Sequence, residues 1–167
     1  MKTLILVRHA KSSWKNPSWR DIERPLNKRG LRDAPLIGKK LFSLINLPVS
    51  LYSSDATRAY ATAKKIAREL DLDETQIENF HELYHASESE LLNFIKKIDN
   101  GTDNVMLFLH NPGITDLANY FSSQHYENIP TCGAISFSFD INFWAEIGKE
   151  NSTQNYYLYP KQFKKDH

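Results

Sequence analysis

The chain has 167 residues, one cysteine, a hydrophobic fraction of 41% and a formal net charge of +1 at pH 7. This length fits one compact domain, which can fold without disulfides or metal ions, and a lone cysteine excludes an intrachain disulfide. The balanced charge argues against a nucleic-acid-binding face, and no apolar run reaches transmembrane length. We therefore expect a cytoplasmic protein with no nucleic-acid or membrane partner, since a single thiol suits a reducing compartment.

The chain begins with a predicted strand, a loop and a helix. Residues 2–8 form a short apolar run, which is typical of a strand buried on both faces. Residues 9–26 are polar, contain two prolines and two tryptophans, and predict a loop. Apolar residues at helical spacing then predict a helix over residues 31–45, with Pro35 in its first turn or at a kink.

The middle of the chain repeats this alternation. Val49–Ser53 predicts a second strand, and Ser54 or Asp55 is expected to cap a helix that extends to Leu70. Residues 76–80 predict a weak strand. The pattern Ser-Glu-Ser-Glu from residue 87 is a capping box, which predicts the start of another helix.

The last part of the chain contains the most apolar strand, Asn104–Leu109, and a turn that leads into a short helix. Three further strands are predicted at residues 132–139, 143–147 and 156–159. Strands that alternate with helices predict a single α/β domain with a central, mainly parallel sheet. We expect this domain to span residues 1–160 and to be followed by a basic, mobile tail at residues 161–167.

Polar side chains follow four of the predicted strands, directly or within one helical turn. In an open parallel sheet, ligands bind beyond the carboxyl ends of the strands, so these side chains should share one edge. Arginine binds phosphate oxygens through two parallel N–H groups, a neutral imidazole can attack phosphorus, and a carboxylic acid can protonate a leaving group. The sequence therefore predicts a phosphate site at this edge, built from Arg8, His9, Arg58, His81, Glu82, His110 and Asn111.

Four motifs occur in a characteristic order: Arg8-His9-Ala10, then Arg24-Pro25-Leu26, then SDATRA from residue 54, then HNPG from residue 110. This order resembles the signatures of the histidine phosphatase superfamily (branch 1, phosphoglycerate mutase-like). The longer run RHAKSSW is similar to the SixA-type phosphohistidine phosphatases. The matching motifs span most of the chain, and four motifs in order are far more specific than the Arg-His pair alone.

The resemblance implies a three-layer domain without a large helical cap, and it implies no metal ion or cofactor. It implies that His9 is the phosphorylated nucleophile. It further implies a phosphate pocket formed by Arg8, Arg24, Arg58, His110 and Asn111. In this pocket His110 is expected to be a cation. Glu82 stands near the place where many members of the superfamily carry a glutamate as proton donor, and it is either that donor or an ordinary loop carboxylate.

Other functions must be weighed against this one. The segment His81-Glu82-x-x-His85 matches the H-E-x-x-H pattern of zinc metallopeptidases, in which a helix places both histidines on one face. Here the segment lies between a weak strand and a capping box, so a loop is expected and the peptidase is a remote alternative. A non-catalytic phosphate-binding module is disfavoured because His9 still occupies the nucleophile position.

The expected substrate follows from the room around the site. About 50 residues separate Arg58 from His110, and two helices and a strand already use them, so little is left for a roof over the pocket. An open site can admit a phosphohistidine side chain projecting from a partner protein, which is the expected substrate. A small phosphomonoester handled by the same chemistry remains the alternative.

Overall fold

The computed structural model describes residues 1–164. Six strands form one sheet: β1 (Lys2–Arg8), β2 (Ser50–Ser54), β3 (Ile77–Phe80), β4 (Asn104–Leu109), β5 (Ala134–Phe139) and β6 (Ser152–Leu158). Their order across the sheet is β3-β2-β4-β1-β5-β6. The first four strands run parallel, and β5 and β6 add an antiparallel edge beside β1. The predicted α/β fold with a mainly parallel sheet is confirmed.

Helices cover both faces of this sheet. They are α1 (Lys28–Phe42), α2 (Thr57–Glu69), α3 (Glu88–Lys96) and α4 (Gly113–Phe121). Successive side chains of a strand point to opposite faces, so Ile5 and Val7 pack with α1 and α2 while Leu4 and Leu6 pack with α3 and α4. Each fully buried aliphatic side chain of this kind stabilises the fold by ~1.5–3 kcal/mol. The result is the predicted three-layer domain.

The register of the central strands determines where the site lies. β1 pairs with β4, and Arg8 stands opposite Leu109. His9 and His110, which directly follow β1 and β4, therefore emerge at the same carboxyl edge of the sheet. Because β4 lies between β1 and β2, this edge is also the point where the strand order reverses, and ligand sites of open α/β sheets form at such points.

Two details near the helix starts differ from the prediction. Helix α1 begins at Lys28, where the Asn27 side chain accepts a hydrogen bond from Gly30, so Pro35 lies inside the helix and not in its first turn. Helix α2 is preceded by Ala56, which has no side-chain cap. Ser54 bonds the backbone N–H of Ala56 instead, because its hydroxyl lies in the turn between β2 and the helix.

The predicted strand at residues 143–147 is wrong. Residues Trp144–Glu146 form a single 3-10 turn, in which the indole of Trp144 is fully buried and donates to the carbonyl of Thr102 at 2.8 Å. Trp144 and Ile147 thus fill the core beside α3 without pairing in the sheet, while Phe143 is exposed. The last strand, β6, begins at Ser152, earlier than predicted. Its first residues are polar and alternate between half-buried and exposed positions at the edge of the sheet, so they lack the apolar signal of a buried strand.

The end of the chain packs more closely than a free tail. A 3-10 turn, Pro160–Phe163, lies against α1, and Lys40 stands over the ring of Phe163. The predicted basic tail begins inside this turn, and its residues 165–167 lie outside the described part of the chain. Among the described helices, none is long and apolar enough to cross a membrane.

Candidate active site

A pocket of about 390 Å³ opens at the carboxyl edge of β1 and β4. The fold brings most of the predicted site residues to its walls: Arg8, His9, Arg24, Arg58, His110 and Asn111. The pocket is also lined by residues that the sequence did not single out, and Asp21 and Trp14 are two of them. The predicted convergence at one edge of the sheet is therefore present in the fold for six of these residues, whereas His81 and Glu82 do not line the pocket.

His9 stands at the buried end of the pocket, with 7% of its surface exposed. Its Nδ1 lies 2.8 Å from the carbonyl oxygen of Ala10. A carbonyl only accepts hydrogen bonds, so Nδ1 carries the proton and Nε2 keeps its lone pair. Burial, opposed by the Ala10 bond and assisted by the positive charges of Arg58 and Arg8, lowers the pKa of His9 to about 3. The ring is therefore a neutral nucleophile at pH 7.

The loop after His9 is fixed by two close contacts. The Thr62 hydroxyl accepts a hydrogen bond from the N–H of Ala10 at 2.9 Å and donates to the carbonyl of Arg58 at 2.7 Å, which joins this loop to α2. On the other side, a Cβ on Gly30 would lie 2.2 Å from the carbonyl oxygen of Lys11. Only glycine allows α1 to approach the loop this closely. These contacts hold the loop that follows His9 between α1 and α2.

Arg8 and Arg58 present unpaired N–H groups in the pocket walls. Nη1 of Arg8 donates to the carbonyl of Ile129 at 2.9 Å, and Arg58 donates to the backbone and carboxylate oxygens of Asp21 at 2.6 and 2.9 Å. The Nε atoms of both arginines are buried without a hydrogen-bond partner in the described structure. Burial and the charge of Arg58 lower the pKa of Arg8. Because unpaired buried donors cost free energy, the pocket is suited to an anion.

Arg24 is buried at the rim of the pocket. Its guanidinium donates to Ser12 Oγ at 2.7 Å and to Asp21 Oδ1 at 3.2 Å. The ring of Trp14 stacks on the guanidinium, with the centroid 3.6 Å from Cζ, while 73% of the Trp14 surface remains exposed. Arg24 is thus held in place before any ligand binds.

His110 is 2% exposed, and its ring centroid lies 5.1 Å from that of His9. Its Nε2 lies 2.9 Å from Ser54 Oγ, and its Nδ1 lies 3.4 Å from Nη2 of Arg58. Arginine cannot accept a hydrogen bond, which places the proton of the neutral ring on Nε2. Burial, followed by the neighbouring His9 and Arg58, lowers the pKa of His110 to about 2. The ring of His110 is therefore neutral in this structure, and its expected role as a cation beside the phosphoryl group stays a prediction.

Asn111 lies in the pocket wall, but its side chain is engaged by the protein. Its Nδ2 donates to Asn128 and to the carbonyl of Ile129, and its Oδ1 accepts from Thr115 at 2.6 Å. These bonds hold the segment around Ile129, whose carbonyl also accepts the hydrogen bond from Arg8. Asn111 therefore shapes the pocket in this state and offers no free polar atom for a ligand.

Asp21 joins residues from several parts of the chain. It lies in a 3-10 turn, Asp21–Glu23, and accepts hydrogen bonds from Arg58, Tyr84 and His85. Although burial acts in the opposite direction, the bonds from Tyr84, His85 and Arg58 hold the pKa of Asp21 well below its ordinary value. Sequence reasoning missed this residue because Arg58, Tyr84 and His85 are between 37 and 64 positions away and only Arg24 is near it in the chain.

The structure does not bring Glu82 to the pocket. Its exposed side chain lines a separate groove with Tyr52, Phe80 and Phe94. The reason is local, because residues His81–Leu83 form a 3-10 turn that directs Glu82 away from the carboxyl edge of the sheet.

The H-E-x-x-H pattern lacks the helix that a zincin site requires. His81 bonds Asp55 at 2.9 Å, whereas His85 bonds Asp21 at 3.0 Å, so the two histidines face different carboxylates. Within residues 1–164, no group of three or more His, Cys, Asp or Glu side chains is placed to hold a metal ion. The geometry of a zinc metallopeptidase is therefore not formed by this segment.

Comparison with known proteins gives a family match. The sequence profile of the histidine phosphatase superfamily (branch 1) matches residues 4–93. An uncharacterized chloroplastic protein of Arabidopsis thaliana is 33% identical over 153 residues, which cover 87% of this chain and 70% of that protein. The name of that relative places it in the chloroplast, and the cytoplasmic location expected for this chain stays a prediction.

Solved structures match the fold over nearly its whole length. A protein of Agrobacterium tumefaciens described as phosphohistidine phosphatase SixA has a TM-score of 0.77 at 24% identity, with 95% of this chain and 98% of that chain covered. The protein histidine phosphatase SixA in complex with tungstate has a TM-score of 0.78 at 20% identity, with 97% and 99% covered. At these identities the likeness concerns the fold, which is the phosphoglycerate mutase-like fold of SixA.

Proposed function

Because the chain belongs to branch 1 of the histidine phosphatase superfamily, we propose that it is a phosphatase in which His9 takes the phosphoryl group. The observation that carries this proposal is the state of the His9 ring. Its Nδ1 proton is held by the Ala10 carbonyl, so the lone pair of Nε2 is available in a pocket whose walls hold two unpaired guanidinium N–H groups. A neutral imidazole beside anion-binding arginines is the arrangement that nucleophilic phosphoryl transfer needs.

The first step is an in-line displacement. Nε2 of His9 forms a bond to phosphorus while the bond from phosphorus to the leaving group breaks. Arg8 and Arg58 donate to the equatorial oxygens, and these bonds strengthen as charge develops there. The buried arginines need no reorganisation for this, since Asp21 and Ile129 already fix their orientation.

The second step returns the enzyme to its starting state. A water oxygen attacks phosphorus, the bond to His9 breaks, and inorganic phosphate leaves. Metal-free hydrolysis is reasonable because the arginines supply the positive charge. His110 adds to it once the anion is present, since a dianion a few ångströms away raises the pKa of a neighbouring imidazole. The added proton goes to Nδ1 of His110, which gives up the bond that it accepts from Nη2 of Arg58 and becomes a further donor.

The proposed substrate is phosphohistidine on a protein. Between Arg58 and His110 the described chain forms the rest of α2, β3, α3, β4 and two 3-10 turns, with no further helix to cover the pocket. The mouth is bordered by the exposed Trp14 and the half-exposed His85. An open mouth suits a side chain presented by a partner protein, whereas a small ligand would bury little surface there. A small phosphomonoester is the second candidate, because the phosphate-binding part of the pocket is indifferent to the leaving group.

The test compares His9→Ala with a matched control, His81→Ala, which removes an exposed histidine outside the pocket. We expect His9→Ala to abolish turnover of phosphohistidine proteins and aryl phosphates while the circular dichroism spectrum is retained, and the control to keep full activity. Acid-labile, base-stable phosphate should be trapped on His9 in the wild type. An active His9→Ala variant would refute the nucleophile, and a preference of several orders of magnitude for a small ester would refute the protein substrate.

A further inference from the structure

The segment that was expected to provide a proton donor places a different residue in the pocket. His85, and not Glu82, lines the pocket, with its ring centroid 4.9 Å from that of His110. The backbone at His85 has φ 53°, in the left-handed region that costs free energy for a residue with a side chain. This turn directs the imidazole towards the pocket, while Glu82 faces the outer groove.

Asp21 determines how the His85 ring is used. Nε2 of His85 lies 3.0 Å from Oδ2 of Asp21, whose carboxylate also receives Arg58 and Tyr84. A carboxylate held by these donors is ionised and only accepts, so Nε2 carries a proton towards it. Within residues 1–164, Nδ1 of His85 makes no hydrogen bond. A carboxylate that fixes one nitrogen and leaves the other free is the Asp–His arrangement of many hydrolases.

The position of His85 suits the leaving-group side of the reaction. His9 occupies the buried end of the pocket, and in-line attack requires the leaving group to depart on the opposite side of phosphorus, towards the mouth. The His85 side chain is 47% exposed and stands at that mouth. Tyr84 is less suited, since its hydroxyl already donates to Asp21.

We propose that His85 is the general acid and base of the reaction and that Asp21 is its positioning residue, an inference that rests on the proposed phosphatase function. In the first step, Nδ1 of protonated His85 gives its proton to the leaving atom as the bond from that atom to phosphorus breaks. In the second step, the neutral Nδ1 takes a proton from the attacking water as the new P–O bond forms and the bond to His9 breaks. The protons balance over one turnover, and no co-reactant is needed.

The test measures how kcat/KM depends on the leaving group. The substrates are an alkyl phosphate, phenyl phosphate and p-nitrophenyl phosphate, whose leaving groups need progressively less protonation. His85→Gln keeps a donor for Asp21 but cannot transfer a proton. General acid catalysis contributes about 10²–10⁴-fold, so we expect a loss of at least ~100-fold on the alkyl and phenyl esters and less than ~5-fold on the nitrophenyl ester. His81→Gln, in the same segment but bonded to Asp55, should match the wild type.

The pH profile distinguishes a proton-transfer role from a structural one. Groups that face His85 are Asp21 from the 3-10 turn, Tyr84 from its own segment and His110 from the end of β4, while Arg58 acts through Asp21. For phenyl phosphate, the wild-type kcat/KM should fall as pH rises, as general acid catalysis requires, and His85→Gln should lack this decline. Asp21→Asn should move the decline to lower pH, because the imidazolium loses a neighbouring negative charge.

The outcomes separate this inference from the proposed function. An equal loss on all three esters, no loss on any of them, or an unchanged pH profile in His85→Gln would overturn the role of His85 while the phosphatase activity stood. A wild-type enzyme that hydrolyses none of these esters or a phosphohistidine protein would instead overturn the proposed function. Retention of the wild-type pH profile in Asp21→Asn would overturn the positioning role.

Discussion

The folded protein should lose stability between pH 7 and pH 5 because two buried histidines remain neutral over this range. Burial lowers the pKa of His9 to about 3 and that of His110 to about 2, whereas both rings titrate at ordinary values in the unfolded chain. Below the unfolded pKa the unfolded state binds more protons than the folded state. Linkage then requires the free energy of unfolding to fall with pH, from about pH 6.5 down to the folded pKa values.

The size of this effect depends mainly on the unfolded chain. At pH 5 an unfolded histidine of pKa ~6.5 gains ~2 kcal/mol from protonation, at 1.36 kcal/mol per pH unit. The folded rings gain almost nothing at pH 5, because their pKa values lie well below it. Together, His9 and His110 should therefore remove roughly 4 kcal/mol of unfolding free energy between pH 7 and pH 5, a large part of a typical 5–15 kcal/mol.

Urea unfolding at pH 7, 6 and 5 would measure this loss. Emission from the fully buried Trp144 reports the transition, and the buffers should contain no phosphate or other oxyanion that could fill the pocket. Because glutamine does not titrate, His9→Gln and His110→Gln should each reduce the loss by about 2 kcal/mol, and the double variant should nearly abolish it. His125→Gln changes an exposed histidine and should keep the wild-type loss.

The reasoning would be refuted if the single variants lost as much stability between pH 7 and pH 5 as the wild type. That result would mean that both rings accept protons in the folded protein, so the pocket would be open enough to water to solvate two further positive charges beside its arginines. The neutral nucleophile proposed for His9 would then have no basis in burial.

Three further expectations concern residues around the pocket. Glu82→Gln should leave kcat/KM within about twofold of the wild type, because the carboxylate lines another groove, and a tenfold loss in steady-state assays would contradict this placement. Gly30→Ala should lower the unfolding free energy by about 1–3 kcal/mol through its clash with Lys11, whereas Gly101→Ala, which meets no atom closer than 3.4 Å, should cost far less in the same urea titration. Activity should survive EDTA and phenanthroline, and its loss with recovery on zinc addition would favour the H-E-x-x-H alternative.

The sequence was sufficient to predict the elements that position the chemistry. Apolar runs such as Asn104–Leu109 are unambiguous because a strand buried on both faces has few alternatives. The residues that follow them directly, His9 and His110, could be placed at one edge from the parallel order alone. The prediction failed at Trp144, where an apolar segment fills the core instead of pairing in the sheet, since periodicity over a few residues does not distinguish these uses.

The pocket rim was harder to predict because it depends on turns and long-range contacts. Whether position 82 or position 85 faces the pocket is decided by a 3-10 turn and one left-handed residue, and neither has a clear signal in the segment HELYH. Asp21 lies in a polar loop, and its contacts to Arg58 and Tyr84 exist only after α2 and β3 have packed on the sheet. Local patterns therefore identified the arginines but not the carboxylate that orients them.

The charge state of the pocket is a consequence of burial that no motif encodes. The histidine phosphatase motifs place two histidines and three arginines together. The resemblance to this family leads to the expectation that one of the histidines, His110, is a cation. Burial reverses this, because an imidazolium is costly to hold away from water, and the charge of Arg58 adds to that cost for both His9 and His110. A bound phosphate removes that obstacle by supplying the opposite charge and by filling the unpaired Nε donors. For His110 a bound phosphate can therefore restore the cation, whereas the ring of His9, bonded through Nδ1 to Ala10, keeps Nε2 unprotonated and able to attack phosphorus.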